Sequence, residues 1–149
     1  MSLKDQIATQ LKDAMRAKDK VKLESLRSIK SAILLEQSNK GAGAELNEEE
    51  EMKILIKLQK QRKDSMDIYL EQNREDLAAE EAAQLEVIET FLPKAMSEEE
   101  LEAALKEIIA AVGATSAQDF GKVMGKASKD LTGKADGKTI SAKLKSLLS

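Results

Sequence analysis

The chain has 149 residues and a formal net charge of −3, enough length for one domain or two small ones. Leu, Ala, Glu, Lys and Arg supply 81 of those residues, and they lose little rotamer freedom on a helix, so an all-α fold is predicted and a β-rich one excluded. With no His and no Cys, there is no imidazole base, thiolate nucleophile, Cys/His zinc site or disulfide to find.

The first helix is predicted over 3–17, with Leu3, Ile7, Leu11, Ala14 and Met15 along one stripe. A polar break at 18–20 leads to a second, with Leu23, Leu26, Ile29 and Ile33 facing a core. The loop at 39–43 holds two glycines. Asn47 is placed to cap a third helix, whose four glutamates at 48–51 put negative charge against its positive end. That helix is expected to reach about Gln72, carrying Leu55, Leu58, Met66 and Tyr69. A break at Asn73 or Arg74 starts the fourth, with Ala78, Ala82, Leu85, Ile88 and Leu92 on one face, and Pro93 ends it.

Pro93 is the predicted domain boundary, giving an N-terminal helical bundle over 1–93 and a small three-helix C-terminal domain over 94–149. Ser97 and Glu100 have capping-box spacing ahead of a fifth helix with Leu101, Leu105, Ile108 and Val112, and Gly113 is its natural C-cap. Ser116 to Asp119 open a sixth, with Phe120, Val123, Met124 and Ala127 inward. After a loop bounded by Gly133 and Gly137, Asp136 caps a last helix bearing Ile140, Leu144, Leu147 and Leu148. No internal repeat breaks this order.

The net charge hides a strong segregation. Residues 1–40 carry +4, residues 41–115 carry −11 and residues 116–149 carry +4, so each basic end could attract a polyanion, or could be a solvated face. No apolar stretch approaches the ~20 residues of a membrane span and no signal-peptide pattern is present, so a cytoplasmic location away from membranes is expected.

Candidate chemistry is sparse. The segment 133–139 has three residues between its glycines where a phosphate loop needs four, and a helix rather than a strand precedes it. A helix-terminal anion site after Asp136 stays open. The carboxylates offer no selective pair and no calcium-loop spacing. Arg62 and Ser65 share a helix face, where an internal salt bridge is favoured over a ligand site. No catalytic residue, metal ligand or cofactor site is assigned.

The sixth helix is the most informative stretch. Lys122, Lys126 and Lys129 recur at i, i+4 and i+7, opposite Val123, Ala127 and Leu131, and Lys134 and Lys138 follow in the loop. Gly121 and Gly125 strip side chains from one flank, each at a cost of about 1 kcal/mol against alanine. Two explanations stand side by side: tight packing against another helix, or close approach of an RNA backbone with lysines on phosphates.

Three runs carry a family resemblance: AMRAKDKVKLESLRSIKSAI at 14–33, RKDSMDIYLEQNREDLAAEEAAQLEVIETFLP at 62–93, and DFGKVMGKASKDLTGKADGK at 119–138. Together they resemble the YqeY-like family, and the last is similar to the GatB/YqeY-type tail domain in the B subunit of glutamyl/aspartyl-tRNA amidotransferase. The resemblance implies an all-helical tRNA-binding module that lacks the enzyme's catalytic domains. It points to a tRNA-binding accessory protein, with tRNA and an amidotransferase or aminoacyl-tRNA-related protein as partners. Lys122, Lys126, Lys129, Lys134 and Lys138 would then meet phosphates, with Gly121 and Gly125 admitting the backbone. A carbon–nitrogen ligase using glutamine as amide donor and a helical protein–protein adaptor are the alternatives. Only Tyr69, Phe91 and Phe120 are aromatic, so base stacking is a poor route to recognition.

Overall fold

The computed structural model describes residues 2–149. Seven α-helices and one 3-10 turn account for all the regular structure of those residues: α1 (Leu3–Ala17), α2 (Lys20–Lys40), α3 (Glu48–Glu71), α4 (Glu75–Glu89), α5 (Glu98–Val112), the turn Ala117–Asp119, α6 (Phe120–Asp130) and α7 (Gly137–Leu148). The fold is all-α. It divides into two compact units, Met1–Leu92 and Pro93–Ser149.

In the first unit α2 touches α1, α3 and α4, while α3 and α4 pair along their length as a helical hairpin. The ends are fixed by local chemistry. The Ser2 hydroxyl accepts from the Asp5 amide at the start of α1. The Asp19 carboxylate accepts from the Lys22 amide at the start of α2. At α3 the expected Asn47 cap is a full capping box: the Glu50 amide donates to Asn47 Oδ1 at 2.9 Å, and the Asn47 amide to Glu50 Oε2 at 2.8 Å. Asn73, in the left-handed region at φ 58°, turns the chain from α3 into α4.

The core of this unit joins Ile7, Leu26, Ile29, Ile33, Leu55 and Ile88, among others. Its α3 members stop at Leu58, although α3 runs on for three more turns. The half-buried Arg62 of that outer stretch is held by Glu81 of α4, at 2.9 and 3.3 Å to its two oxygens. The internal salt bridge favoured for Arg62 is therefore formed.

The end of α4 departs from expectation. The helix stops at Glu89, short of Leu92, and a turn through Thr90 and Phe91 carries Leu92 into the core. Thr90 closes it, its hydroxyl donating to the Val87 carbonyl at 2.6 Å. The last turn before Pro93 tightens rather than continuing as α-helix: the Thr90, Phe91 and Leu92 amides donate three residues back, to the Val87, Ile88 and Glu89 carbonyls at 3.2, 3.1 and 3.2 Å.

In the second unit α5, α6 and α7 all touch one another around Leu101, Leu105, Val123, Ala127, Ile140 and Leu144. Gly113 ends α5 in the left-handed conformation (φ 77°) that glycine adopts without strain. Of the predicted box at α5 the Ser97 half is present, accepting from the Glu100 amide at 3.1 Å. Ser116 caps the 3-10 turn rather than α6 itself. The Met96 amide donates to the Lys134 carbonyl at 2.9 Å, tying the α6–α7 loop to the segment before α5.

Candidate nucleic-acid interface

Helix α6 is sharply two-sided. Val123 and Ala127 are fully buried and Leu131, just past its end, nearly so, because they recur every four residues on the side facing α5 and α7. Lys122, Lys126 and Lys129 all lie exposed on the other side. About 10 Å of helix axis separates the first from the last, at 1.5 Å per residue. Lys129 sits in the last turn, where the helix dipole favours a cation.

Gly121 and Gly125 occupy the same exposed side. A methyl group built on either would meet nothing within 4 Å. Packing against another helix of the second unit therefore does not account for them. Their cost to helix stability remains.

Lys134 and Lys138 are exposed as well. Lys134 lies in the loop after α6, which Gly133 turns at φ 79° and the Met96–Lys134 hydrogen bond steadies. Lys138 stands in the first turn of α7. There the Asp136 carboxylate accepts from the Thr139 amide at 2.7 Å. That carboxylate already uses the helix end, so the anion site left open after Asp136 is occupied by the chain's own negative charge.

One acidic partner escaped the reading of the lysine pattern. Asp130 pairs with Lys126 at 3.3 Å, one helical turn away, which removes part of that lysine's availability. Lys143 of α7 lies between Glu98 and Glu102 of α5, at 3.6 and 3.5 Å, and holds two helices together. Lys143 and its neighbour Lys106 hold the Glu102 carboxyl below its ordinary range. By contrast, Lys122, Lys129, Lys134 and Lys138 have no acidic side chain at salt-bridge distance among the described residues. In the first unit, a groove of about 450 Å³ beside Arg62, lined also by Ser28, Gln61, Asp64 and Ser65, is polar. Among the described residues no three of His, Cys, Asp and Glu converge as a metal site would require.

These features define an all-helical protein with one lysine-faced surface in its second unit. The chain belongs to the family described as Yqey-like protein, which it matches over residues 4–148. It is 42% identical over 85 residues to the altered inheritance of mitochondria protein 41, mitochondrial, of Vanderwaltozyma polyspora, covering 55% of this chain and 44% of that protein. The protein of the same name from Lachancea thermotolerans is 33% identical over 101 residues, covering 66% and 54%. That from Saccharomyces cerevisiae is 29% identical over 133 residues, covering 87% and 68%. The chain spans about half the length of the first two. The mitochondrial label of these relatives differs from the cytoplasmic location expected from sequence. No helix among the described residues is long and apolar enough to cross a membrane.

Proposed function

We propose that the protein is a tRNA-binding accessory factor that engages the RNA backbone through α6 and the loop after it. The observation that carries this reading is the pairing of two costly helix glycines facing open space with lysines free of acidic partners on the same exposed side. A backbone-reading surface needs cations on phosphates and room for close approach, and it needs no aromatic platform. An amidotransferase or aminoacyl-tRNA-related protein is the partner this role calls for. The ligase alternative has neither His nor Cys to assign as base or nucleophile.

The test is the salt dependence of tRNA affinity. About four free lysines, at roughly 0.7–0.9 per phosphate, give log affinity against log salt a slope near −3. Changing Lys122→Glu together with Lys129→Glu flattens that slope by more than one unit. The same changes at Lys53 and Lys57 of α3 leave it alone. Unaltered binding by the α6 variant would overturn the proposal.

A second reading, as a helical adaptor, is favoured by one observation. The acidic α3 exposes Ile68 and Leu70 beyond the part of the helix that joins the core, at 52% and 51% exposure. A photo-crosslinking residue at position 68 tests it, by recovering a defined protein partner or none.

A further inference from the structure

The first unit carries two surface features of opposite charge. Between α1 and α2 lies an apolar groove of about 150 Å³, floored by Ile7, Ala8 and Ile33, with Leu34 at its edge. Leu34 is 46% exposed, a large apolar side chain left in water. Lys4 and Lys30 line the same groove, both exposed and neither in an ion pair among the described residues. The groove is greasy within and basic at its rim.

The outer end of α3 has the opposite character. Ile68 stands at its centre, with Asp64 one turn before it, Asp67 beside it and Glu71 three residues on. All three acids are exposed and none forms an ion pair among the described residues. This apolar knob ringed by carboxylates lies beyond the core, so the fold of one chain does not use it.

We propose that the α1–α2 groove of one copy receives the Ile68 end of α3 from a second copy of this chain. This deepens the adaptor reading by naming the occupant, and it is independent of RNA binding by α6. Ile68 would cover Leu34 and the groove floor, while Asp64 and Asp67 meet Lys4 and Lys30. In the proposed two-fold pair each copy lends its groove to the other's knob, so both contacts form together. Each contact is small against the ~800 Å² per partner of a standard interface, so the dimer is a weak and salt-sensitive one.

Sedimentation of the full chain over a range of concentrations tests this directly. The expected result is a concentration-dependent dimer whose dissociation constant rises roughly tenfold between low and high salt. Leu34→Asp and Ile68→Asp each yield a monomer with unchanged helicity, as both sites are exposed. Lys4→Glu with Lys30→Glu, and separately Asp64→Lys with Asp67→Lys, each yield a monomer alone. Mixed, the two variants pair again, since the reversed groove meets the reversed knob in one contact and the parental groove meets the parental knob in the other. A chain monomeric at every concentration, or a dimer that these reversals leave intact, overturns the proposal. A monomer that crosslinks from position 68 to a different protein ends self-association and keeps the adaptor reading. A monomer that crosslinks to nothing ends both.

Discussion

Helices α3 and α6 carry charge of opposite sign, and the fold treats the two differently. Over its first two-thirds, α3 spends much of its charge on the structure. Glu50 closes the capping box and takes Lys40 at 2.9 Å, Lys53 leans on Glu49 one turn back, and Arg62 clasps Glu81. On α6, among the described residues, only Lys126 has such a partner. Lys122 and Lys129 are left over, beside two glycines that the fold does not fill. Charge consumed by a cap or a cross-helix pair explains itself. Charge left on a helix that also gives up stability to glycine points outside the molecule. The last turns of α3 fall on the α6 side of this divide, for Asp64, Asp67 and Glu71 have no cation at salt-bridge distance among the described residues.

Breaking the consumed charge should have the largest effect. Arg62→Ala strands Glu81, whose side chain is only 15% exposed. The loss should be about 1–2 kcal/mol, reduced from the cost of a fully buried pair because the guanidinium is itself 24% exposed. Chemical denaturation measures it. The double change Arg62→Met with Glu81→Leu should cost less than Arg62→Ala alone, because no stranded charge remains. A loss under ~0.3 kcal/mol would place this pair with ordinary surface pairs. Asn47→Ala comes next, at about 1 kcal/mol, since it leaves the Glu50 amide without its acceptor.

The glycines on α6 sharpen the comparison, because their substitution has the opposite sign. Gly121→Ala and Gly125→Ala each add a methyl group to open space. Thermal unfolding should therefore show stabilisation of up to about 1 kcal/mol per site. tRNA affinity should fall at the same time, if a backbone approaches there. Stabilisation with unchanged RNA binding would make the glycines incidental and leave the lysines as the whole of the proposed interface.

Much of this was legible in the sequence, and the failures have physical reasons. Leu3, Ile7, Leu11 and Ala14 of the α1 stripe, the Asn47 cap, the Gly113 cap and the Asp136 cap are local signals, and local chemistry decides them, whereas Met15, placed on the same stripe, is 59% exposed. The exposure of the α6 lysines follows from helical period alone. The Lys126–Asp130 pair had the same i, i+4 signal and was missed because the reading counted cations only. Arg62–Glu81 joins residues nineteen apart, so its partner depends on how α3 and α4 pack. Ile68 reads in sequence as one more apolar residue of a long helix. Helical period sets it about 200° round from Met66 and about 100° from Tyr69, the half-buried members of the stripe, but apolar character alone does not show that nothing covers that side.

The smallest effect concerns acid. Glu50 is held below its ordinary value of 4.5 first by the Asn47 amide and then by Lys40, Asp76 is lowered first by Arg74, and Glu102 is lowered first by Lys143. A carboxyl whose folded pKa is depressed contributes stability that is fully present above its unfolded pKa. That contribution is lost as pH falls through the folded value. These groups should therefore leave stability flat from neutrality to about pH 5 and reduce it progressively below 4.5. Glu50→Gln isolates one share. Glutamine keeps the acceptor that the capping box needs, so the helix end stays closed. What it removes is the proton-linked part, and unfolding followed at pH 5 and again at pH 3 should show a smaller drop than in the parent. An identical drop in both proteins would mean that the Asn47 and Lys40 contacts to Glu50 do not persist in solution, and would move that carboxylate from the consumed charges of α3 to the free ones.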